Sequence, residues 1–372
     1  MKTLVAHQIP EVQSSRLCLF IASCLLITLG SIIQTRAAKG QAAPEIALPF
    51  ATQLRKTVVL IETDCLHEPT PEELEKLTPE ERAKWTPEAI AKLTDEQMAT
   101  MKQDQWRGTG FIVRMLDPRL YPKFGNLSGY NYLVTNRHVV EPGIEHGHPC
   151  KVLRRSIGAN LKDKNGTGGG HLQFVLQVSA GGWEFPADPA VDLAAISFTG
   201  SGDDWDFEVF NDAMFVPQDS LEKRKVAEGD SVMFAGLFIQ YLGGSTLEPI
   251  VRSGKIAMLP RDLINTTLGK PGHVILAEIH SFGGNSGSPV FVEAHPDRNS
   301  LAFNYQFLGV VAGEVYETGD LTLQTTASYK GNVQANSNIS MLVPAEEVKT
   351  LLLHPALVKQ RDTTTALILA TK

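Results

Sequence analysis

Residues 283–290 read Gly283-Gly284-Asn285-Ser286-Gly287-Ser288-Pro289-Val290 and run straight into the apolar Phe291 and Val292. A stretch with so much glycine and a proline cannot hold a helix, so it must be a tight turn feeding a strand. That turn carries chemistry as well as shape. A serine hydroxyl is a weak nucleophile at neutral pH and needs a base beside it, together with donors for the oxyanion that forms when it attacks a carbonyl. Glycines on both sides of Ser286 allow the backbone amides of Gly284 and Ser286 to converge.

Two other stretches supply partners. Tyr132-Leu-Val-Thr-Asn-Arg-His138-Val-Val140 is an apolar strand that ends in a histidine. Ala190-Val-Asp192-Leu-Ala-Ala-Ile-Ser-Phe198 is a strand opened by an aspartate. Strand character recurs at Val58 to Thr63, 108–114, 131–136, 172–178, 193–198, 227–235, 250–259, 274–279, 289–293, 307–313 and 340–343, with turn residues between. The pattern predicts an all-β chain of two six-stranded antiparallel barrels, with helix confined to an insertion and to residues 344–358. The expected units are residues 1–43 as a leader, 44–215 as the first barrel, 216–358 as the second barrel with its closing helix, and 359–372 as a loose tail.

The chain order His138, Asp192, Ser286 is that of the chymotrypsin-like triad. Arg107-Gly-Thr-Gly-Phe-Ile-Val113 resembles the Gly-Ser/Thr-Gly-Phe strand that precedes the histidine in the HtrA-type proteases. Asp188-Pro-Ala-Val-Asp-Leu-Ala194, Val251-Arg-Ser-Gly-Lys-Ile-Ala257 and the segment from Ile339 to Leu351 resemble other parts of those enzymes. Gly283 to Phe291 is closer to the glutamyl endopeptidases. The chain therefore resembles the bacterial HtrA-type and glutamyl endopeptidase branch of the trypsin-like serine proteases, over most of residues 50–355. The resemblance implies a cofactor-free serine endopeptidase acting on polypeptides. It places the base at His138, its orienting carboxylate at Asp192, the nucleophile at Ser286, and the oxyanion donors at Gly284 and Ser286, helped by Asn285. No PDZ domain is expected after Val358.

Specificity is weakly encoded. His280, six residues ahead of Ser286, falls where trypsin carries an acidic residue at the base of its S1 pocket, so cleavage after lysine or arginine is not expected. The glutamyl endopeptidases have Gly-x-His where this chain has Gly309-Val310-Val311, which disfavours glutamate. With His280, the residues Val310, Val311 and Gly313 are expected to border the substrate, and small or apolar P1 residues are the default.

The uncharged run from Leu17 to Ile33, flanked by Arg16 and Arg36, is either a cleaved export signal or an N-terminal membrane anchor. Both readings put the remainder outside the cytoplasm, in the periplasm or the extracellular space. A formal net charge of −7 argues against nucleic acid or an anionic membrane surface as the main partner. Cys65 and Cys150 are the cysteines beyond the apolar run, and whether they pair is open. His146-Gly-His148-Pro-Cys150 lacks a fourth ligand at zinc-like spacing, so no metal is expected. Asn126-Leu-Ser128 and Asn265-Thr-Thr267 fit the glycosylation pattern, which matters only in a eukaryotic secretory pathway.

Residues 70–101 repeat an eight-residue unit opening with Thr70-Pro, Thr78-Pro, Thr86-Pro and Thr94-Asp. Each threonine can cap a helix whose first position suits proline, with Glu73, Glu81 and Gln97 completing capping boxes. Recurrent proline forbids one continuous helix, so short turns in series are expected across the acidic insertion 67–104. The insertion is either a docking element for a protein partner or a solvated excursion that packs Leu77, Trp85, Leu93 and Met98 onto the first barrel. Two functions from other classes compete with proteolysis: a catalytically idle protease-fold scaffold that uses this insertion, and esterase action by the same serine.

Overall fold

The computed structural model describes residues 49–371, apart from 70, 91, 147–149, 164–168, 176–181, 201–203, 218, 223–224, 296–303 and 325–327. The apolar run 17–33 and part of the glycine-rich loop near 165–170 lie outside the described residues. Among the described residues no helix is long and apolar enough to cross a membrane.

The architecture is all-β, with two antiparallel units. The first comprises β1 (Val58–Leu66), β2 (Gln103–Leu116), β3 (Gly129–Thr135), β4 (Val152–Asn160), β5 (His171–Val175) and β6 (Ala194–Ser197), in the order β5-β4-β1-β2-β3-β6. A short β7 (Phe210–Asn211) joins β2 in parallel. The second comprises β8 (Ser231–Gly236), β9 (Ile250–Met258), β12 (Ile275–Glu278), β13 (Pro289–Ala294), β14 (Asn304–Gln324) and β15 (Ser328–Pro344), closed as a six-stranded barrel in the order β12-β15-β14-β13-β8-β9. Between β9 and β12, β10 (Ile264–Asn265) and β11 (Pro271–Gly272) form a small hairpin.

The runs 58–61 in β1 and 111–113 in β2 are continuously apolar because both of their faces are buried. Successive side chains in a strand point to opposite faces. Phe111, Val113, Tyr132, Val134, Phe291 and Val310 accordingly meet in a seam shared by the two barrels. Their neighbours Ile112 and Leu133 fill the first barrel, while Val290, Val292 and Val311 fill the second. Aromatic rings lock the seam: Phe111 lies 5.5 Å from Phe307, and Phe210 lies 5.0 Å from Phe291, centroid to centroid. Burying such rings contributes more than area alone, because edge-to-face pairs add about 0.5–1.5 kcal/mol each. The seam fixes one barrel against the other and so fixes the cleft between them.

Two sequence expectations are corrected. Residues 359–370 are not a loose tail: the helix Pro355–Ala370 continues through them and buries Leu357, Thr365 and Ile368. Thr365 accepts a place in a buried network with Asp117 and Tyr130 that ties the helix to the first barrel. The last two strands also run far beyond 313 and 340, pairing from Tyr316 with Asn336 to Gln324 with Ser328. Their threonine-, glycine- and asparagine-rich sequence gave no strand signal.

The insertion forms four short helical pieces, Pro71–Lys76, Pro79–Arg82 continuing into a tighter turn Ala83–Trp85, Pro87–Ile90 and Asp95–Ala99. Both capping boxes that can be seen are formed, Thr78 with Glu81 and Thr94 with Gln97; Thr70 lies outside the described residues. Met98 is buried, while Leu77, Trp85 and Leu93 are only partly covered. The insertion therefore rests lightly on the hairpin it interrupts, since β1 and β2 pair right up to Leu66 opposite Gln103.

Cys65 and Cys150 are joined in a disulfide that spans 85 residues of sequence. It ties the end of β1 to the loop following His138. Cross-linking a loop of that size removes denatured-state entropy worth about 4–5 kcal/mol. A Cys65→Ser, Cys150→Ser double variant should therefore unfold at clearly lower urea concentration than the parent, measured by circular dichroism, with the slope of the transition changed by the looser denatured state.

Candidate active site

β3 ends at Thr135, and after the still extended Asn136 the backbone enters the single helical turn Arg137–Val140 that carries His138. Asn136 is fully buried, and its side-chain amide donates to the carbonyl of Asp192 at 2.7 Å. The histidine turn is thus pinned to the aspartate turn before the side chains meet. Asp192 itself is 1% exposed and precedes β6, which pairs with β3 through Thr135 opposite Ala194.

The carboxylate of Asp192 collects three donors. His138 Nδ1 lies 2.6 Å from Oδ2, the His138 backbone amide donates to Oδ1 at 3.1 Å, and the Thr267 hydroxyl donates to Oδ2 at 2.9 Å. An ionised carboxylate only accepts, so the proton on this edge of the ring belongs to Nδ1, and Nε2 keeps its lone pair. Burial pulls the imidazole towards the neutral form, but the charge of Asp192 and its hydrogen bond, with Glu145 further off, outweigh burial and raise the His138 pKa above its ordinary value. For Asp192, burial pushes the carboxyl up, and His138 and Thr267 together hold it below the usual carboxylate range. The pair is built to stabilise an imidazolium beside a carboxylate.

Ser286 sits on the glycine turn between Gly284 and Gly287. Both glycines have positive φ, +95° and +88°. Space is also lacking for a side chain: a Cβ on Gly287 would fall 1.8 Å from the Thr109 carbonyl oxygen, and one on Gly284 would fall 2.3 Å from Ile239 Cγ1. Thr109, on β2 of the first barrel, clamps this turn of the second. Its amide donates to the Ser286 carbonyl at 2.9 Å, and its hydroxyl donates to the Gly284 carbonyl at 2.7 Å. With the carbonyls held this way, the amides of Gly284 and Ser286 have no acceptor among the described residues. They are what an oxyanion would need.

Asn285 departs from expectation. Its side-chain amide donates to the Leu237 carbonyl at 2.8 Å, its side-chain oxygen accepts from the Phe282 amide at 2.9 Å, and its backbone amide is bonded to the Phe282 carbonyl. Fully buried and fully engaged, it shapes the turn and offers no donor to an oxyanion. Val310 and Val311 are likewise removed from the substrate face, at 0% and 1% exposed in the seam and in the second barrel. Strand alternation sends Val310 to the seam and Val311 to the interior of the second barrel, so packing claims both faces.

His280 and Gly313 stay near the site. The His280 ring lies 4.3 Å from that of Phe282, on the segment leading to the nucleophile turn. Gly313 leaves room for the Thr267 methyl, which a Cβ there would meet at 2.8 Å. The Ser286 hydroxyl donates to the Ala312 carbonyl at 3.4 Å; among the described residues it makes no hydrogen bond to His138. Of the candidate metal stretch, 147–149 lie outside the described residues, and Cys150 is committed to its disulfide.

Sequence reasoning missed Thr109, Thr267 and Glu314. Thr109 stood inside a motif already singled out. Thr267 had no local signal, since it reaches Asp192 from the β10–β11 hairpin of the other barrel. Glu314 hydrogen-bonds Asn336, Ser281 and Tyr316, and burial raises its pKa. A hydrogen bond to a charged group is worth about 1.5–3 kcal/mol, so Thr267→Val should lower kcat about 10- to 100-fold with KM little changed. Thr267→Ser should restore most of it, which steady-state kinetics on a peptide substrate would read.

Two β-barrels joined by a seam, with histidine and aspartate on the first and a glycine-flanked serine on the second, define the architecture of chymotrypsin-type serine peptidases. The sequence agrees: the model for the trypsin-like peptidase domain matches residues 108–295, just over half of the 372-residue chain, and the chain belongs to that family. Among curated proteins, no sequence matches significantly. Solved structures with similar shape include Deg5, at 15% identity and a TM-score of 0.39 over 80% of this chain and 88% of that one. The HtrA-type protease AlgW, solved with a decapeptide, gives 14% and 0.41 over 83% and 66%. The Rv3671c protease in an inactive form gives 16% and 0.37 over 84% and 96%. The family assignment rests on the sequence match.

Proposed function

We propose that this trypsin-like peptidase is an exported serine endopeptidase in which His138, Asp192 and Ser286 work as one unit. The observation that carries the reading is the 2.6 Å contact between His138 Nδ1 and Asp192, which leaves Nε2 as an available base, next to a turn whose amides at Gly284 and Ser286 are unclaimed. To be activated, the Ser286 hydroxyl has to leave the Ala312 carbonyl for the imidazole, and hydrogen bonds of this kind commonly tighten only when substrate binds. His138 takes the hydroxyl proton as Ser286 attacks the scissile carbonyl, the two amides hold the oxyanion, and His138 returns the proton to the leaving amine. Water then cleaves the acyl-enzyme by the same steps.

The substrate side chain enters between His280–Gly283 and Ala312–Glu314. Glu314 reaches across to Ser281 and Asn336, which narrows this space and favours small P1 side chains. A digest of a mixed peptide library tests the reading: cleavage after alanine, serine or valine, absent with Ser286→Ala, is expected. Ester hydrolysis without peptide cleavage would favour the esterase alternative. A folded chain that cleaves neither would favour the idle scaffold, in which the bond from Ser286 to Ala312 is the resting arrangement.

A further inference from the structure

Away from the cleft, a cavity of about 380 Å³ lies between the first barrel and the C-terminal helix Pro355–Ala370. Its walls include Phe124, Tyr130, Phe198 and Ile368, and its volume is in the range of small-molecule sites. Its charge is one-sided. Among the described residues, the lining contains Arg114 and Arg361 and neither aspartate nor glutamate, in a chain whose formal net charge is −7.

Neither arginine is neutralised by a carboxylate among the described ion pairs. Arg114 donates from Nε to the Asn131 side-chain oxygen at 2.9 Å and from Nη1 to the Leu127 carbonyl at 3.2 Å. Arg361 donates from Nη1 to the Tyr132 hydroxyl at 2.9 Å and to the Leu352 carbonyl at 2.7 Å, with its guanidinium over the Tyr132 ring. All four acceptors are neutral. These bonds fix the two forks in place and leave N–H groups of both free of a protein counter-charge. Partial burial pushes the Arg114 guanidinium down from its ordinary range. The nearby acids are spent elsewhere: Asp117 and Asp362 both pair with Arg119, outside the lining.

We propose that this cavity binds a small organic carboxylate with an apolar body, of the medium-chain fatty acid type. The carboxylate would sit against the Arg114 guanidinium, whose fork matches its geometry, with Arg361 on the same lining adding positive charge, and the chain would lie on Phe124, Phe198 and Ile368. The site is independent of the peptidase reading, since none of its residues belongs to the cleft.

Isothermal titration of the full chain with decanoate, decyl phosphate and decanol, all below their aggregation concentrations, tests it. Saturable binding of one decanoate is expected, with decanol weaker by at least about tenfold because it offers no charge to the arginines. Arg114→Gln should weaken decanoate by about tenfold and leave decanol unchanged. Thr364→Phe, which fills the cavity from the helix, should abolish binding of both while leaving the melting profile and peptide cleavage intact. Binding that survives both substitutions, equal binding of decanoate and decanol, or no binding would each overturn the proposal. Preference for decyl phosphate over decanoate would overturn the carboxylate assignment.

Discussion

Ser286→Ala is expected to reduce kcat on a fluorogenic peptide by about 10⁶-fold, the loss typical of removing the nucleophile from a serine peptidase unit. The fold should not follow the activity down. The hydroxyl makes a single bond of 3.4 Å to Ala312, and the turn is held by Thr109, Asn285 and its glycines instead. A thermal melt within a degree or two of the parent is thus the companion result. What activity remains comes from the Gly284 and Ser286 amides and from substrate binding, which do not need the hydroxyl. Adding His138→Ala to Ser286→Ala should cost almost nothing more, because the two residues act in the same step. Additive losses would instead assign them separate roles.

Asp192→Asn is expected to lower kcat about 10⁴-fold, with KM changed far less. The asparagine can present its amide to His138 Nδ1, which then favours the tautomer with its proton on Nε2, the wrong edge for a base. The pH profile gives an independent sign. In the parent, the charge and hydrogen bond of Asp192 outweigh burial and raise the His138 pKa. Since the base must be neutral in the free enzyme, the acidic limb of kcat/KM should lie above the ordinary imidazole value of about 6.5. Removing the carboxylate removes the raising influence and leaves burial, so the limb should move to lower pH in Asp192→Asn. A limb that stays put would mean that Asp192 does not govern the ring.

The strands were legible because the apolar runs are continuous, as strands covered on both faces require. Phe111-Ile112-Val113 could be read as a strand without knowing that alternate residues face the seam and the barrel interior. The same ambiguity explains why Val310 and Val311 were expected at the substrate: spacing from Ser286 locates the strand, but only the packing decides which face points where. The glycine turn was legible from composition, since Gly284 and Gly287 take a backbone geometry that other residues avoid. The direction of the Asn285 amide was not, because Leu237 in another strand determines it. Thr267 and Thr109 contribute across the barrel boundary, at separations that no local pattern reports. The helix through 359–370 lacks a clear apolar stripe, and it is held by particular contacts, such as Thr365 to Asp117, more than by an amphipathic face.

The most direct measurement of the central claim is covalent labelling by a fluorophosphonate, followed by peptide mass mapping. One equivalent of phosphonyl group on Ser286 is expected, forming at a rate that rises with pH as His138 loses its proton and collapsing in His138→Ala. A folded chain that takes up no label, or takes it up on another residue, would contradict the account.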